Sequence, residues 1–209
     1  MGVVGEIFCR LNTFSNDELV RHLEAQGAEA WMSDIAEWVW YTNENHLRGL
    51  RRAGRRFSRE MLRMKFRNFF QKRDEHELVS LFAEEFRGYE EPEEVATVLH
   101  YADPYLPPMG VIGEMVVNLG RSVYLAKKGV DGILDISPFT CMNGIVSEAI
   151  YPRLSADCGG IPIRVFYFDG TQSDLDRDIG IYVELTRSYR HRKPYPRTYP
   201  ACFAAPATA

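Results

Sequence analysis

The feature that most constrains this chain is a rhythm of short apolar runs alternating with amphipathic stretches, broken once and then resumed. Val3–Cys9 (VVGEIFC) is apolar and β-branched and reads as a buried strand. Asn16–Gln26 follows, with Leu19, Val20 and Leu23 spaced for one helix face and Asn16 placed to cap it. Gly27 stands where a helix stops, and Ala28–Ser33 is a second strand candidate. Strand, helix, glycine, strand is a βαβ unit, and such a unit pairs its strands in parallel. The rhythm returns with a helix over Gly113–Lys128, a strand at Val130–Ile136, a helix at Gly144–Ala156, a strand at Pro162–Phe168 and a helix at Leu175–Arg190. Four strands joined by right-handed crossovers predict an α/β fold with a parallel sheet in the order 2-1-3-4. Ligands of such sheets bind beyond the carboxyl ends of the strands. That edge is formed by the loops that start at Arg10, Ser33, Ser137 and Asp169.

The interruption, residues 34–128, is largely helical in composition, with a loop marked by Pro104, Pro107 and Pro108. Its charge is divided. Residues 48–73 hold nine Arg, two Lys and one Glu; residues 74–94 hold nine acidic residues and one Arg. A basic patch for RNA or for coenzyme phosphates is one reading. The other is two antiparallel helices with opposite charges facing each other, and Phe57, Met61, Met64, Phe69 and Phe70 as core contacts at helical spacing. The near-cancellation of charge favours the second and makes nucleic acid an unlikely partner, because a nucleic-acid surface needs its positive field left unneutralised. Residues 191–209 hold four prolines and no periodicity, the signature of a disordered tail.

Composition narrows the class further. With 209 residues, 45% of them hydrophobic, a packed core is expected, as one α/β domain over residues 1–190. No apolar run is long enough to span a bilayer and no export signal is legible, so a cytoplasmic protein without a membrane partner is expected. Cys9, Cys141, Cys158 and Cys202 are widely and irregularly spaced, which argues against a disulfide framework and a self-contained zinc site.

Chemistry-bearing residues gather at the predicted ligand edge. SPFTCMNGIVSEAI, residues 137–150, lies directly after a strand and opens a helix, which puts Cys141 at a helix N-terminus. A thiolate there can serve as nucleophile or metal ligand; a buried structural cysteine is the plain alternative. Arg10, Asn12 and Asn16, in the loop after the first strand, are candidates for binding an anionic substrate, although Asn16 alone can cap a helix. Glu6 and Glu114, each preceded by Gly, are candidate acid–base groups. Glu6 falls in a strand expected to be buried, where a charge needs a partner.

PFTCMNGIVSEAIYPRLS followed by IPIRVFYFDG resembles the C-terminal half of 2-hydroxyacyl-CoA dehydratase subunits, and more closely the dehydratase-like region of the large CoA-substrate-specific activases. VGEIFCRLNTFSNDELVRHLEAQGAEAW and GVIGEMVVNLGRSVYLAKKGVDGILDISPFTCM extend the similarity over residues 3 to about 190. The resemblance implies a flavodoxin-like domain in which Cys141 is one ligand of a 4Fe–4S cluster. It also implies an ATP-dependent activator and an acyl-CoA as partners. Asn143 stands where the family motif has Pro, and the other cluster cysteines of the family belong to a domain this sequence does not contain. Four ligands are normally required, so another domain or subunit would supply the rest. A non-catalytic interaction domain that keeps the fold without the cluster is the alternative.

Overall fold

The computed structural model describes residues 1–89, 91–92, 94–107, 113–171, 174–194 and 196–197. Its centre is a four-stranded, all-parallel sheet in the order β2-β1-β3-β4, the order predicted by simple winding. The strands are β1 (Gly2–Gly5), β2 (Trp31–Met32), β3 (Ile133–Pro138) and β4 (Ile163–Phe168). Residue by residue, β1 pairs with β3 from Gly2↔Ile133 to Gly5↔Ile136, and β3 pairs with β4 from Ile133↔Ile163 to Pro138↔Phe168. The layout is α/β and flavodoxin-like.

Alternation along the strands divides the core in two. Val3, Leu134, Ile136 and Phe166 face α2 (Leu19–Ala25) and α8 (Leu175–Arg190). Val4 and Ile133 face the opposite layer, formed by α5 (Val95–Ala102), α6 (Met115–Lys127) and α7 (Met142–Asp157). Both faces are covered, as parallel sheets require, and this is why β1 is buried throughout.

The first strand is shorter than its apolar run. The expected strand Val3–Cys9 ends at Gly5, and Ile7–Leu11 forms a one-turn helix, α1. Glu6 caps it by accepting a hydrogen bond from the Cys9 backbone N at 2.8 Å. Gly5 makes the break possible. Its φ is +124°, and a Cβ there would lie 2.1 Å from the Ile136 carbonyl oxygen. β2 is likewise shorter than Ala28–Ser33, while Gly27 takes the left-handed turn (φ +76°) expected of a helix stop. α2 starts later than the expected Asn16–Gln26, with Glu18 as its N-cap residue, and Asn16 supports that start from the preceding turn, its Oδ1 accepting from Leu19 N at 3.3 Å.

The charge blocks do not face each other as two helices. α3 (Ala36–Arg52) and α4 (Arg59–Ser80) form a hairpin with a small core of Leu47, Leu50, Met61 and Met64. α4 runs without a break across the boundary between the basic and acidic blocks. The arginines therefore collect at the hairpin tip and the first half of α4, and the acids on its second half. The ion pairs are mostly local: Arg48 and Arg51 with Glu44, Arg55 with Glu60, and Arg73 with Asp74 and Glu77; Lys72 with Glu94 joins the blocks across a longer reach. Phe57 and Phe69 are exposed instead of serving the hairpin core.

Residues 191–194 and 196–197 run against the body. Lys193 Nζ pairs with Asp131 at 2.6 Å, and Arg197 stacks on Trp31 and Tyr89. Residues 198–209, including Cys202, lie outside the described residues, as does Pro108 of the proline loop. Among the described residues no helix is long and apolar enough to cross a membrane.

Gly5→Ala should destabilise the fold by more than about 2 kcal/mol, because it combines a strained left-handed backbone with overlap on β3. Urea denaturation of the variant checks this; a loss under about 0.5 kcal/mol would show that the β1 turn relaxes freely.

Candidate functional site at the carboxyl edge of the sheet

The turn from β1 into α1 happens inside the protein, so its backbone N–H groups need partners. Three side chains supply them. Gly5 N donates to Asn118 Oδ1 at 3.3 Å, Ile7 N to the two carboxylate oxygens of Glu114 at 3.1 and 3.3 Å, and Cys9 N to Glu6. Glu114 is the N-cap residue of α6 and Asn118 lies one turn further along it, so both reach this turn from the start of one helix. Glu6 and Glu114, separated widely in sequence, thus meet at one helix start. Burial pushes the Glu114 carboxyl up to about 7; Arg10 opposes the rise and Glu6 adds to it. The Cys9 thiol is buried on α1 and is pushed up to about 12 by burial, with Glu6 contributing.

Arg10 is buried instead of solvated. Its Nη1 donates to the carbonyls of Ser33 at 2.9 Å and Asp34 at 3.3 Å, which ties α1 to the end of β2. Its Nε has no partner. Asn12 and Asn16 shape the loop that follows: Asn12 Oδ1 accepts from Ser15 N at 3.1 Å, and Asn16 Nδ2 donates to the Cys9 carbonyl at 2.7 Å. All three expected substrate-binding residues therefore hold backbone in place.

Cys141 follows β3 across Phe139 and Thr140 and is the N-cap residue of α7, its carbonyl accepting from Ile145 N at 3.2 Å. Thr140 turns through φ +67° to bring the chain round. Gly144 lets the first turn of α7 close onto β3, since a Cβ there would lie 2.7 Å from Ser137 Oγ. Cys141 is partly exposed, whereas Cys9 and Cys158 are buried. Cys141 and Cys9 are near enough to interact electrostatically. Phe8, Leu11 and Phe14 on one side, and Phe139, Met142 and Ile145 on the other, are exposed around this edge. Among the described residues no three His, Cys, Asp or Glu side chains converge to hold a metal ion.

Asp135 is the site residue that pattern reading missed. It lies on β3 opposite Val4, is 0% exposed, and accepts a hydrogen bond from Tyr151 OH at 2.5 Å. Its Oδ1 has no partner, and Gly5 packs close to it. Burial pushes its carboxyl up to about 7, against the pull of the Tyr151 hydroxyl and Arg10. The signal in the sequence was an acidic residue within ILDI, a strand with both faces covered. Glu37, at the start of α3, is a third such carboxyl, raised to about 7 by burial and opposed mainly by Arg121. It borders a cavity of about 510 Å³ between α3, α4 and α5.

No known protein family, no curated protein and no solved structure matches this chain.

The raised carboxyls fix the sign of a pH effect. Asp135 and Glu114 bind protons more tightly folded than unfolded, so their neutral forms stabilise the fold below about pH 4. That stability is lost as the pH rises towards about 7. Each group contributes a fall of up to about 1.4 kcal/mol per pH unit in that window. Asp135→Asn should flatten the fall; denaturant titrations at a series of pH values would expose an unchanged slope.

Proposed function

We propose that this chain is a component of a 2-hydroxyacyl-CoA dehydratase/activase-type system. In this reading Cys141 contributes one thiolate to a 4Fe–4S cluster completed by another domain or subunit. An ATP-dependent activator and an acyl-CoA are the other partners. The observation that carries the reading is the placement of Cys141: a partly exposed thiol at the carboxyl edge of a parallel sheet, on a helix N-cap, within an exposed apolar rim.

The donor set fits a shared cluster and not a self-contained one. A 4Fe–4S cluster normally takes four protein ligands, and the described residues bring one outward-lying thiol to this edge. When bound, the cluster would supply one-electron chemistry. The chain's own residues do the rest. The apolar side chains around Cys141 exclude water once a partner covers them. Glu114 and Asp135 hold protons on carboxyl oxygens close to neutral pH behind the edge. Arg10, Asn12 and Asn16 fix the loop after β1, and the substrate anion falls to groups outside their present hydrogen bonds. A non-catalytic interaction domain is the second reading, supported by the lack of three converging metal-ligating side chains among the described residues.

Anaerobic co-purification with a dehydratase-type partner chain, with iron and sulfide assayed, separates the two. The chain alone should hold little iron and the complex a cluster. Cys141→Ala should lower the iron content of the complex severalfold, while Cys9→Ala leaves it intact. Equal iron in the Cys141→Ala complex would leave the interaction-domain reading standing.

A further inference from the structure

α4 carries its charges in the wrong order for its own dipole. A helix favours acids in its first turn and cations in its last, each worth about 0.3–1 kcal/mol. α8 obeys this, with Asp176 and Asp178 at its start and Arg187 and Arg190 at its end. α4 has Arg59 beside a single acid, Glu60, in its first turn, continues with Arg63, Lys65 and Arg67, has Arg55 and Arg56 just ahead of it, and carries Asp74, Glu75 and Glu77 towards its end with no basic residue in its last turn. The hairpin partner α3 gives no relief, since it brings Arg48, Arg51 and Arg52 to the same end. Arg56, Arg59 and Arg63 make no ion pair among the described residues. Among the described residues Asp74 and Glu77 pair with the neighbouring Arg73, in exposed contacts of 3.4 Å that exchange partners at little cost.

The same helix has an unpartnered apolar stripe. Met61 and Met64 face α3. On the outward side Leu62 is 71% exposed, and Phe66 and Phe69 are each 64% exposed, next to Phe70, which Phe66 and Phe69 both contact edge-on. Four large apolar side chains within three turns form a patch of the kind that marks an interaction surface. The net charge changes sign along the helix: Arg59, Arg63, Lys65 and Arg67 outweigh Glu60 up to and through the patch, and beyond Lys72 and Arg73 the charges are the acids Asp74, Glu75 and Glu77.

We infer that the outward face of α4 is an isologous dimer interface, in which α4 of a second copy of this chain packs antiparallel with the two-fold axis near Phe69. Rotation about that axis sets Arg59 against the second copy's Glu77 and Arg63 against its Asp74, and it lays the phenylalanines of the two copies on one another. A two-fold interface demands a self-complementary surface, and this charge order meets the demand. The two helix dipoles also run opposite ways, so each basic start lies beside an acidic end. A nucleic acid fits less well, because the acidic half of α4 would repel it, and the phenylalanine stripe would face phosphates.

Sedimentation equilibrium of the full chain and two charge-reversed variants tests the inference. Arg59→Glu with Arg63→Glu gives one variant, and Asp74→Lys with Glu77→Lys gives the other. Both changes agree with the helix dipole, so both variants should fold, which circular dichroism checks. Wild type should be a dimer, and each variant alone should associate at least about tenfold more weakly. An equimolar mixture of the two should regain a mixed dimer. A wild-type chain that stays monomeric at about 0.1 mM, or variants that dimerise like wild type, would overturn the interface. So would a mixture that stays monomeric. RNA binding that Arg59→Glu with Arg63→Glu abolishes, with no change in association state, would assign the face to nucleic acid instead.

Discussion

Everything at the carboxyl edge depends on a sharp turn made inside the protein. The chain leaves β1 at Gly5 with its backbone pressed against β3, and an N–H group turned away from the sheet there has no water to meet. Asn118, Glu114 and Glu6 answer that need, and two of them come from α6, more than a hundred residues further on. The hydrogen bonds that let β1 end early therefore also bring buried carboxyls to the edge. Their raised affinity for protons follows from position: a carboxyl taken out of water holds its proton more tightly unless a full cation sits beside it, and here Arg10 is shared among several acids.

The architecture was legible because parallel sheets impose a coarse, redundant pattern. Each strand is a short apolar run followed by a helix-length amphipathic stretch, and one winding rule then orders the sheet. Element ends were less legible. Val3–Cys9 looks like one strand because Ile7, Phe8 and Cys9 are as apolar as Val3 and Val4, yet the stop is set by Gly5 and by carboxylates distant in sequence. The charge blocks misled for a related reason. A change of charge sign says nothing about where a helix ends, and Arg73–Asp74 lies in the middle of α4 with no glycine, proline or cap to break it.

The candidate site was legible in part. Cys141 stands where the strand–turn–helix pattern put it, and Glu6 and Glu114 are together, which no local reading would show. Arg10, Asn12 and Asn16 share the region but are engaged with backbone carbonyls and N–H groups. Asp135 was visible as an acid in a buried strand, but its partner Tyr151 comes from α7, and only the packed layers join them. A polar residue in a doubly covered strand is thus as informative as a motif.

The central claim is that Cys141 is the thiol this chain offers to a cluster shared with a partner. Mass-resolved alkylation tests it most directly, on the chain alone and on its anaerobic complex with and without iron. Cys141 should react readily in the free chain while Cys9 and Cys158 stay protected by burial, and iron loading of the complex should protect Cys141 as well. Cys141 alkylated as fast in the iron-loaded complex as in the iron-free one would contradict the account.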